Sequence, residues 1–258
     1  MREYGLIGYP LDHAFSKTYF EKMFENENIS DVKYHMFPIS EIQRLPRILA
    51  SHPNLFGINV TTPYKELVIP YLDDLDPVAM SIGAVNTVTI LNLKDKILLK
   101  GYNTDVLGVY TLLRGIKLPE KALILGSGGS SRTVRYALKL QGVRCLTASR
   151  DPMYDDQIRY DEINKEVLIT HPLVINCTPV GMYPRSSEKP PIPYRYISDQ
   201  HIVIDLIYNP RKTAFLNACE KQGAMVRNGF DMLTEQADRA WDIWQRAYKE
   251  YRLVTQRD

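Results

Sequence analysis

The sequence has 258 residues, of which 45% are hydrophobic and 24% are charged, and its 32 basic and 30 acidic residues leave a formal net charge of +2. This composition is that of an ordinary globular protein, with enough chain for two modest domains. Because the charge is balanced and interleaved, we expect no nucleic-acid partner and no membrane partner.

The first residues and the cysteines bear on the cellular compartment. Segment 1–5 has an acid at position 3, unlike a secretory signal, and no apolar run approaches the roughly 20 residues of a membrane span. Cys145, Cys177 and Cys219 are far apart and form no C-x-x-C pair. We therefore expect neither disulfides nor a metal site, and we predict a cytoplasmic protein.

The N-terminal part of the chain alternates strand-like and helix-like segments. A strand is predicted at 3–8, and aromatic residues at helical spacing follow between Phe15 and Phe24. Prolines at the first helical position open two further helices, at Thr62-Pro63 and at Asp76-Pro77. More strands are predicted at 32–38, 56–60, 85–91 and 97–102. This alternation indicates a mostly parallel sheet.

A second α/β series follows a helix predicted near 107–114. Strands are predicted at 122–125, 143–148, 173–176 and 202–206, with a helix at 130–141. The stretch 183–193 is rich in proline, serine and charge, which predicts an exposed loop. Apolar residues then recur at helical spacing from Leu233 to Tyr251 and predict a long amphipathic C-terminal helix.

A glycine-rich segment, Gly126 to Ser130, lies between a hydrophobic strand and a predicted helix. Glycines at such a junction allow a tight turn and let backbone N–H groups approach a pyrophosphate. Many glycine loops are only turns, but the complete strand–loop–helix–strand context favours dinucleotide binding. Ser131 stands where the G-x-G-x-x-G pattern has its third glycine.

The strand after this helix ends at Ser149-Arg150-Asp151. An acid at that strand end binds the ribose 2′-OH of NAD, whereas an arginine accommodates the 2′-phosphate of NADP. Arg150 comes first and favours NADP, while the adjacent Asp151 leaves NAD open. Both charges could also be solvated turn residues.

Other polar segments stand where a strand ends and a helix begins, which is where open sheets bind ligands. Segment 57–65 places Lys65 in the first helical turn, where the helix dipole opposes its charge and favours proton transfer. The further segments are 83–87 with Asn86, 101–105 with Asp105 and 8–16 with Ser16. Taken singly, Lys65 could equally be a surface lysine, Asp105 a helix-terminal acid and Ser16 a helix cap.

Together, and in this order, these segments resemble the shikimate dehydrogenase family, which reduces 3-dehydroshikimate to shikimate with NADPH. The resemblance continues through 176–182, 205–210 and 228–236, so it covers nearly the whole chain. It implies an α/β fold with two open lobes and a cleft between them. The N-terminal substrate-binding domain would comprise 1–105 plus 230–258, and a Rossmann-type NADP-binding domain would comprise 106–229.

The resemblance also implies roles for individual residues. Lys65 and Asp105 would be the catalytic pair, with Lys65 protonating the C3 carbonyl oxygen as hydride arrives and Asp105 holding Lys65 and a ring hydroxyl. A bound ammonium neutralises the developing alkoxide without solvent reorganisation. The substrate would be bound by Ser16, Thr61, Asn86, Asp105, Tyr208 and Gln236. NADP would be lined by Gly126, Ser127, Gly128, Gly129, Ser130, Ser149, Arg150, Leu206 and Gly229.

The chain departs from its family at the substrate loop. The family pattern is His-Ser-x-Ser-Pro, whereas this chain reads His13-Ala14-Phe15-Ser16-Lys17. Only Ser16 of the two serines that bind the substrate carboxylate remains, a loss of roughly 1.5–3 kcal/mol. An inward-pointing Lys17 would offset part of this loss.

Two alternatives stay open. The chain could be a quinate/shikimate dehydrogenase paralogue that uses NAD or another cyclohexane carboxylic acid, or a cofactor-binding regulator without turnover. The presence of Lys65 and Asp105 argues against the regulator, because a binding module needs neither. We expect a small-molecule substrate and a monomer or homodimer.

Overall fold

A computed structural model describes residues 1–11, 15–93 and 96–255 of the chain. The chain forms two compact units, one made of Met1–Thr104 with Gln236–Asp258 and the other of Asp105–Glu235. Each unit contains a six-stranded sheet among its described residues. The last helix, α9 (Phe230–Thr255), begins in the second unit and continues into the first.

The first unit is built on a mixed sheet. Its strands are β1 (Arg2–Gly8), β2 (Val32–Pro38), β3 (Leu55–Val60), β4 (Asp74–Leu75), β5 (Thr87–Asn92) and β6 (Ile97–Tyr102). Its helices are α1 (Ser16–Asn26), α2 (Leu45–Ser51), α3 (Tyr64–Leu67) and α4 (Pro77–Ile82), besides the later part of α9. The strand order is β2-β1-β3-β5-β6-β4, and only β5 runs antiparallel to its neighbours β3 and β6. The predicted strands are therefore present, with an antiparallel hairpin at β5 and β6.

The two predicted proline-opened helices begin differently. Asp76 caps α4, its carboxylate accepting the Ala79 N–H at 2.8 Å, and Pro77 is the first helical residue as predicted. The prediction for Pro63 was wrong: it is the N-cap of α3, with φ −93° and ψ 13°, and the helix begins at Tyr64. Because α3 is a single turn, its dipole is small and gives little reason to expect proton transfer at Lys65.

Separate hydrophobic clusters cover the two faces of the first sheet. One lies under α2, α3 and α4 and includes Ile58 and Val88. The other joins α1 and α9 to β1 and β2, with Tyr4, Phe20 and Trp244 at its centre. Tyr4 stacks on Trp244 at a ring distance of 4.9 Å, and the Trp244 indole N–H donates to the Val88 carbonyl at 3.0 Å. Helix α9 is thus part of the core of the first unit.

The second unit has a fully parallel sheet. Its strands are β7 (Lys121–Leu125), β8 (Arg144–Ser149), β9 (Gln157–Arg159), β10 (Leu173–Asn176), β11 (Ile202–Asp205) and β12 (Met225–Asn228), in the order β12-β11-β10-β7-β8-β9. Its helices are α5 (Asp105–Leu113), α6 (Gly129–Leu140), α7 (Lys165–Thr170) and α8 (Ala214–Glu220). The short elements β9, β12, α7 and α8 were not predicted. The carboxyl ends of β7, β8, β10 and β11 lie along one edge of the sheet, because all four strands are parallel.

Among the described residues, no helix has the length and apolar character needed to cross a membrane. Residues 183–193 contain neither helix nor strand, as predicted for an exposed loop.

Candidate active site

A buried amide, Asn86, organises the polar end of the first sheet. Asn86 is 2% exposed and lies directly before β5. Its Oδ1 accepts the Thr104 backbone N–H at 2.7 Å, and its Nδ2 donates to Thr104 Oγ1 at 2.9 Å and to Gln236 Oε1 at 3.3 Å. Since a backbone N–H can only donate, Thr104 sets the orientation of the Asn86 amide. Two predicted substrate residues, Asn86 and Gln236, are thereby brought together.

Thr61 and Lys65 are tied to the Asn86 segment through the backbone. Thr61 follows β3, and its N–H donates to the Ile7 carbonyl at 3.0 Å. The Lys65 carbonyl accepts the N–H of Val85 at 2.7 Å, and Val85 directly precedes Asn86 in the chain. Both side chains are half-buried. The structure therefore places these two predicted residues and Asn86 on adjoining segments of the first unit.

Ser16 connects to the same region through a buried tyrosine. Ser16 is the first residue of α1, not its cap, and hydrogen-bonds Tyr34. Tyr34 Oη donates to Asn59 Oδ1 at 2.7 Å, and burial raises the pKa of Tyr34 well above its usual value. Tyr34 was not predicted, because a tyrosine within a strand carries no local signal of its role.

The structure describes Phe15, Ser16 and Lys17 of the segment in which the chain departs from the family pattern. Ala14, with Asp12 and His13, lies outside the described residues. Lys17 is exposed, with its Nζ 3.8 Å from Glu21 Oε1 one helical turn away. In this arrangement Lys17 does not point inward, as a compensating role for it would require.

Asp105 belongs to the second unit, where it is the first residue of α5 and is buried. A carboxylate at this position is favoured by the positive end of the helix dipole. The prediction of a polar, ligand-facing role for Asp105 stays a prediction.

The glycine loop between β7 and α6 has the geometry of a phosphate cradle. Gly126 has φ +103°, and a Cβ atom there would lie 2.9 Å from Thr178 Cγ2. Gly128 is the N-cap of α6, and no heavy atom lies within 4 Å of the position that its Cβ would occupy. Ser131 is 1% exposed, and its buried Oγ finds no hydrogen-bond partner within the described ranges. Open space, a helix N-terminus and an unsatisfied hydroxyl fit a dinucleotide pyrophosphate.

A cavity of about 640 Å³ adjoins this loop within the second unit. Its lining consists of Ser127, Ser131, Arg132, Arg135, Thr147, Tyr154, Asp155, Asp156 and Gln157. Arg135 is held by Asp156 and by Thr147 Oγ1, the latter at 3.2 Å. The lining residues Arg132, Arg135 and Tyr154 were not predicted. A helical spacing of Arg132 and Arg135 after the loop was the available signal.

Ser149 and Arg150 lie at the end of β8, beside the loop. The Ser149 and Ser127 hydroxyl oxygens are 3.1 Å apart, and Ser149 Oγ accepts the Asp151 N–H at 3.2 Å. Ser149 is buried and Arg150 is exposed, so the guanidinium of Arg150 is accessible to a ligand phosphate. Ser130 is in the first turn of α6.

Leu206 and Gly229 meet at close range. A Cβ atom on Gly229 would lie 2.0 Å from the Leu206 carbonyl oxygen, so only glycine fits there. The Gly229 N–H donates to the Ile207 carbonyl at 3.2 Å, and Tyr208 follows, half-buried. These contacts bring together three predicted ligand residues, Leu206, Tyr208 and Gly229.

The parallel sheet, the glycine loop and the open N-terminus of α6 define a dinucleotide-binding α/β protein, and the first unit adds a separate cluster of amides and hydroxyls beside a lysine. The chain belongs to the shikimate dehydrogenase family. The family model of the shikimate dehydrogenase substrate binding domain matches residues 6–88. A shikimate dehydrogenase (NADP(+)) of Methanosphaera stadtmanae is 35% identical over an alignment of 260 positions. The alignment covers 93% of this chain and 90% of that protein.

Solved structures agree with this membership. Shikimate dehydrogenase 1 from Peptoclostridium difficile aligns with a TM-score of 0.83 and 31% identity, covering 100% of this chain and 99% of its own. The shikimate 5-dehydrogenase of Thermus thermophilus, in complex with NADP(H) and shikimate, aligns with a TM-score of 0.79 and 28% identity, covering 95% and 93%.

Proposed function

We propose that this protein is an NADP-dependent shikimate dehydrogenase, which reversibly reduces 3-dehydroshikimate to shikimate. The observation that carries the proposal is the hydrogen-bonded cluster of Asn86, Thr104 and Gln236, which joins two residues expected to bind substrate. Family membership over nearly the full length supports it, because relatives that are 31% and 35% identical to this chain are named shikimate dehydrogenases.

The domain roles belong to the same proposal. Residues 1–105 plus 230–258 bind the substrate, and residues 106–229 bind NADP. The match of 6–88 to a substrate binding domain supports the first assignment, and the glycine loop at Gly126 supports the second.

The chemistry divides between cofactor and protein. When bound, NADPH supplies the hydride, and NADP⁺ accepts it in the reverse direction. The Lys65 ammonium donates a proton to the carbonyl oxygen during reduction, and the Lys65 amine takes it back during oxidation. The same positive charge stabilises negative charge on that oxygen in the transition state. Asp105 accepts a hydrogen bond from a substrate hydroxyl and so orients the ring.

The remaining polar residues bind and orient the substrate. Ser16 donates to the carboxylate, and Thr61 and Tyr208 add hydroxyl contacts. Asn86 donates to Gln236 Oε1 and so orients the Gln236 amide, and an amide nitrogen is a donor of the kind that an oxygen acceptor on the ligand requires. Without a serine at position 14, carboxylate binding is weaker than in relatives with two serines by about 1.5–3 kcal/mol.

NADP is the cofactor that the second unit fits. Gly126, Ser127, Gly128, Gly129 and Ser130 hold the pyrophosphate, and the exposed Arg150 pairs with the 2′-phosphate. Ser149, Leu206 and Gly229 line the rest of the dinucleotide.

The test is a steady-state assay of the purified protein with shikimate and either NADP⁺ or NAD⁺, with quinate as a parallel substrate. We expect turnover of shikimate with a clear preference for NADP⁺. Preferential turnover of quinate, or of NAD⁺, would instead support the paralogue, and binding of NADP⁺ without turnover of either acid would support the regulator. We further propose a cytoplasmic location. We also propose that the protein is a monomer or a homodimer, and light scattering of the purified protein distinguishes the two by mass.

A further inference from the structure

A buried carboxylate outside the predicted ligand set joins two loops of the second unit. Asp205 is 0% exposed at the end of β11 and lies opposite Asn176 at the end of β10. Asp205 Oδ1 accepts from Asn176 Nδ2 at 3.0 Å and from the Ile207 N–H at 3.1 Å. Its Oδ2 accepts from Thr213 Oγ1 at 2.6 Å, and Thr213 is also fully buried. A buried charge with three donors is a costly arrangement that holds its neighbours in place.

The first loop held by Asp205 is the one that carries Leu206 and Tyr208. The Leu206 N–H donates to the Asn176 carbonyl at 3.0 Å. Ile207 is held from both sides, because its N–H donates to Asp205 and its carbonyl accepts from Gly229. The position of Tyr208 therefore depends on Asp205 through the neighbouring Ile207.

The second loop follows Asn176. Asn176 Oδ1 accepts from the Thr178 N–H at 3.0 Å and from Thr178 Oγ1 at 2.7 Å. Because Asp205 accepts from Asn176 Nδ2, it fixes the orientation of that amide, so that Oδ1 is the atom that meets Thr178. Thr178 is the residue whose methyl group limits the glycine loop at Gly126. The two loops and the glycine loop are thus linked by one set of hydrogen bonds and contacts.

We propose that Asp205 and Thr213 form a positioning pair, which holds the segments 176–178 and 206–208 in the arrangement that NADP and substrate require. This inference rests on the proposed function for the meaning of those segments. Asp205 and Thr213 are fully buried, so they act through Asn176, Ile207 and Thr178 and not by touching a ligand.

Thr213 offers a matched set of variants. Thr213 also caps α8, its Oγ1 accepting the Leu216 N–H at 3.2 Å. Thr213→Val removes the hydroxyl, whereas Thr213→Ser keeps it. Asn164→Ala removes the corresponding cap of α7, where Asn164 Oδ1 accepts the Val167 N–H at 3.1 Å, and so controls for loss of a helix cap in the same unit.

The experiment measures the dissociation constant of NADP⁺ by calorimetry, together with kcat and KM for shikimate. We expect Thr213→Val to weaken NADP⁺ about fivefold, within the range for residues that act through neighbours. We expect kcat to fall by roughly tenfold or more, because a misplacement of about 1 Å can cost on the order of a hundredfold. Thr213→Ser should restore both values, and Asn164→Ala should change neither, although it also lowers the melting temperature. Asp205→Asn keeps Oδ1 as the acceptor for Asn176 and Ile207 but presents an N–H donor to the Thr213 hydroxyl in place of an acceptor. Like Thr213→Val, it should weaken NADP⁺ binding and lower kcat.

Wild-type constants in folded Thr213→Val and Asp205→Asn would overturn the proposal, as would equal losses in Asn164→Ala. A Thr213→Ser variant as impaired as Thr213→Val would assign the effect to packing and overturn it too. If Thr213→Val does not fold, Asp205→Asn decides the question. If the wild type binds NADP⁺ but does not oxidise shikimate, the proposed function fails, while the NADP⁺ dissociation constants still decide whether the pair positions the cofactor loops.

Discussion

Lys65 is the residue on which the proposed proton transfer depends. Lys65→Ala should lower kcat by roughly 10²–10⁴-fold, the range for loss of a general acid–base. Lys65→Arg keeps the positive charge, but a guanidinium does not give up its proton, so we expect a comparable loss. Steady-state kinetics check both variants, with Lys33→Ala, on the exposed side of β2, as a control. Near-normal turnover in Lys65→Arg would show that charge alone, without proton transfer, is sufficient.

Arg150 is the residue expected to select NADP over NAD. A guanidinium pairs with the 2′-phosphate of NADP through two N–H donors. NAD has a hydroxyl at that position and cannot form this charged, two-bond pair. Arg150→Ala should therefore raise KM for NADP⁺ by tenfold or more, roughly the loss of a charge-assisted bond, and leave KM for NAD⁺ within about twofold. Arg195→Ala, in the turn Tyr194–Tyr196, is the control. Equal effects of Arg150→Ala on both cofactors would transfer the selection to Arg132 or Arg135 in the adjoining cavity.

Asp205 makes the stability of the protein depend on pH. Burial raises the pKa of Asp205 from 3.8 to about 6, although hydrogen bonds from Thr213, Ile207 and Asn176 oppose the shift. Between these values the folded protein binds more protons than the unfolded chain, so the free energy of unfolding falls as pH rises from about 4 to about 6. The effect of a two-unit shift is on the order of 3 kcal/mol.

Urea unfolding of the wild type and of Asp205→Asn between these pH values measures that contribution. We expect the wild type to lose more stability than the variant as pH rises. Asp161→Asn, at a residue whose side chain is 78% exposed, should keep the wild-type slope. Parallel slopes for wild type and Asp205→Asn would contradict the assignment.

At the scale of elements, two glycines that precede helices have different roles: Gly128, before α6, is expected to be functional, and Gly229, before α9, is structural. Gly128→Ala meets no atom within 4 Å, so we expect stability within about 0.5 kcal/mol of wild type. The added methyl group occupies the space where a pyrophosphate approaches the backbone, and NADP⁺ binding should weaken by tenfold or more, a loss of about 1.4 kcal/mol.

Gly229→Ala is the structural counterpart. Its methyl group would lie 2.0 Å from the Leu206 carbonyl oxygen, so the start of α9 must move away from the segment after β11. We expect a loss of several kcal/mol or failure to fold, since overpacking a tight contact costs about 1–3 kcal/mol or more. Thermal unfolding and NADP⁺ calorimetry on both variants separate the two outcomes. Unchanged NADP⁺ affinity in Gly128→Ala would remove the loop from the cofactor site.

At the scale of the whole molecule, α9 completes a unit whose other elements lie at the opposite end of the chain. Trp244 is fully buried among Tyr4, Phe20 and Gly57. Trp244→Ala should destabilise the first unit by about 3–5 kcal/mol, the usual cost of deleting a buried aromatic side chain. Leu253→Ala, at an exposed position of the same helix, should change stability by less than about 0.5 kcal/mol.

The remaining tryptophan, Trp241, also lies in α9 and reports unfolding of the first unit in urea. A small effect of Trp244→Ala on that transition would mean that the first unit does not need α9 for its core.

The sequence by itself determined the order of the long elements, the glycine loop and the family. Alternating strands and helices, Asp76-Pro77 and the periodicity from Leu233 to Tyr251 are local patterns, and the physics behind them acts over a few residues. Short elements such as β9 and α7 carry too few residues for a periodic signal, and the start of α3 at Tyr64 depended on backbone angles at Pro63 that the sequence does not display.

Only the tertiary structure decided which polar groups meet. Gln236 reaches Asn86 because α9 packs on the first sheet, and Asp205 reaches Thr213 and Asn176 because β10 and β11 are neighbours in register. Lys17 turned out to lie beside Glu21 on the exposed face of α1. Hydrogen bonds need partners within about 3 Å and a defined direction. The packing of elements that are distant along the chain sets both quantities, so no local pattern predicts these contacts.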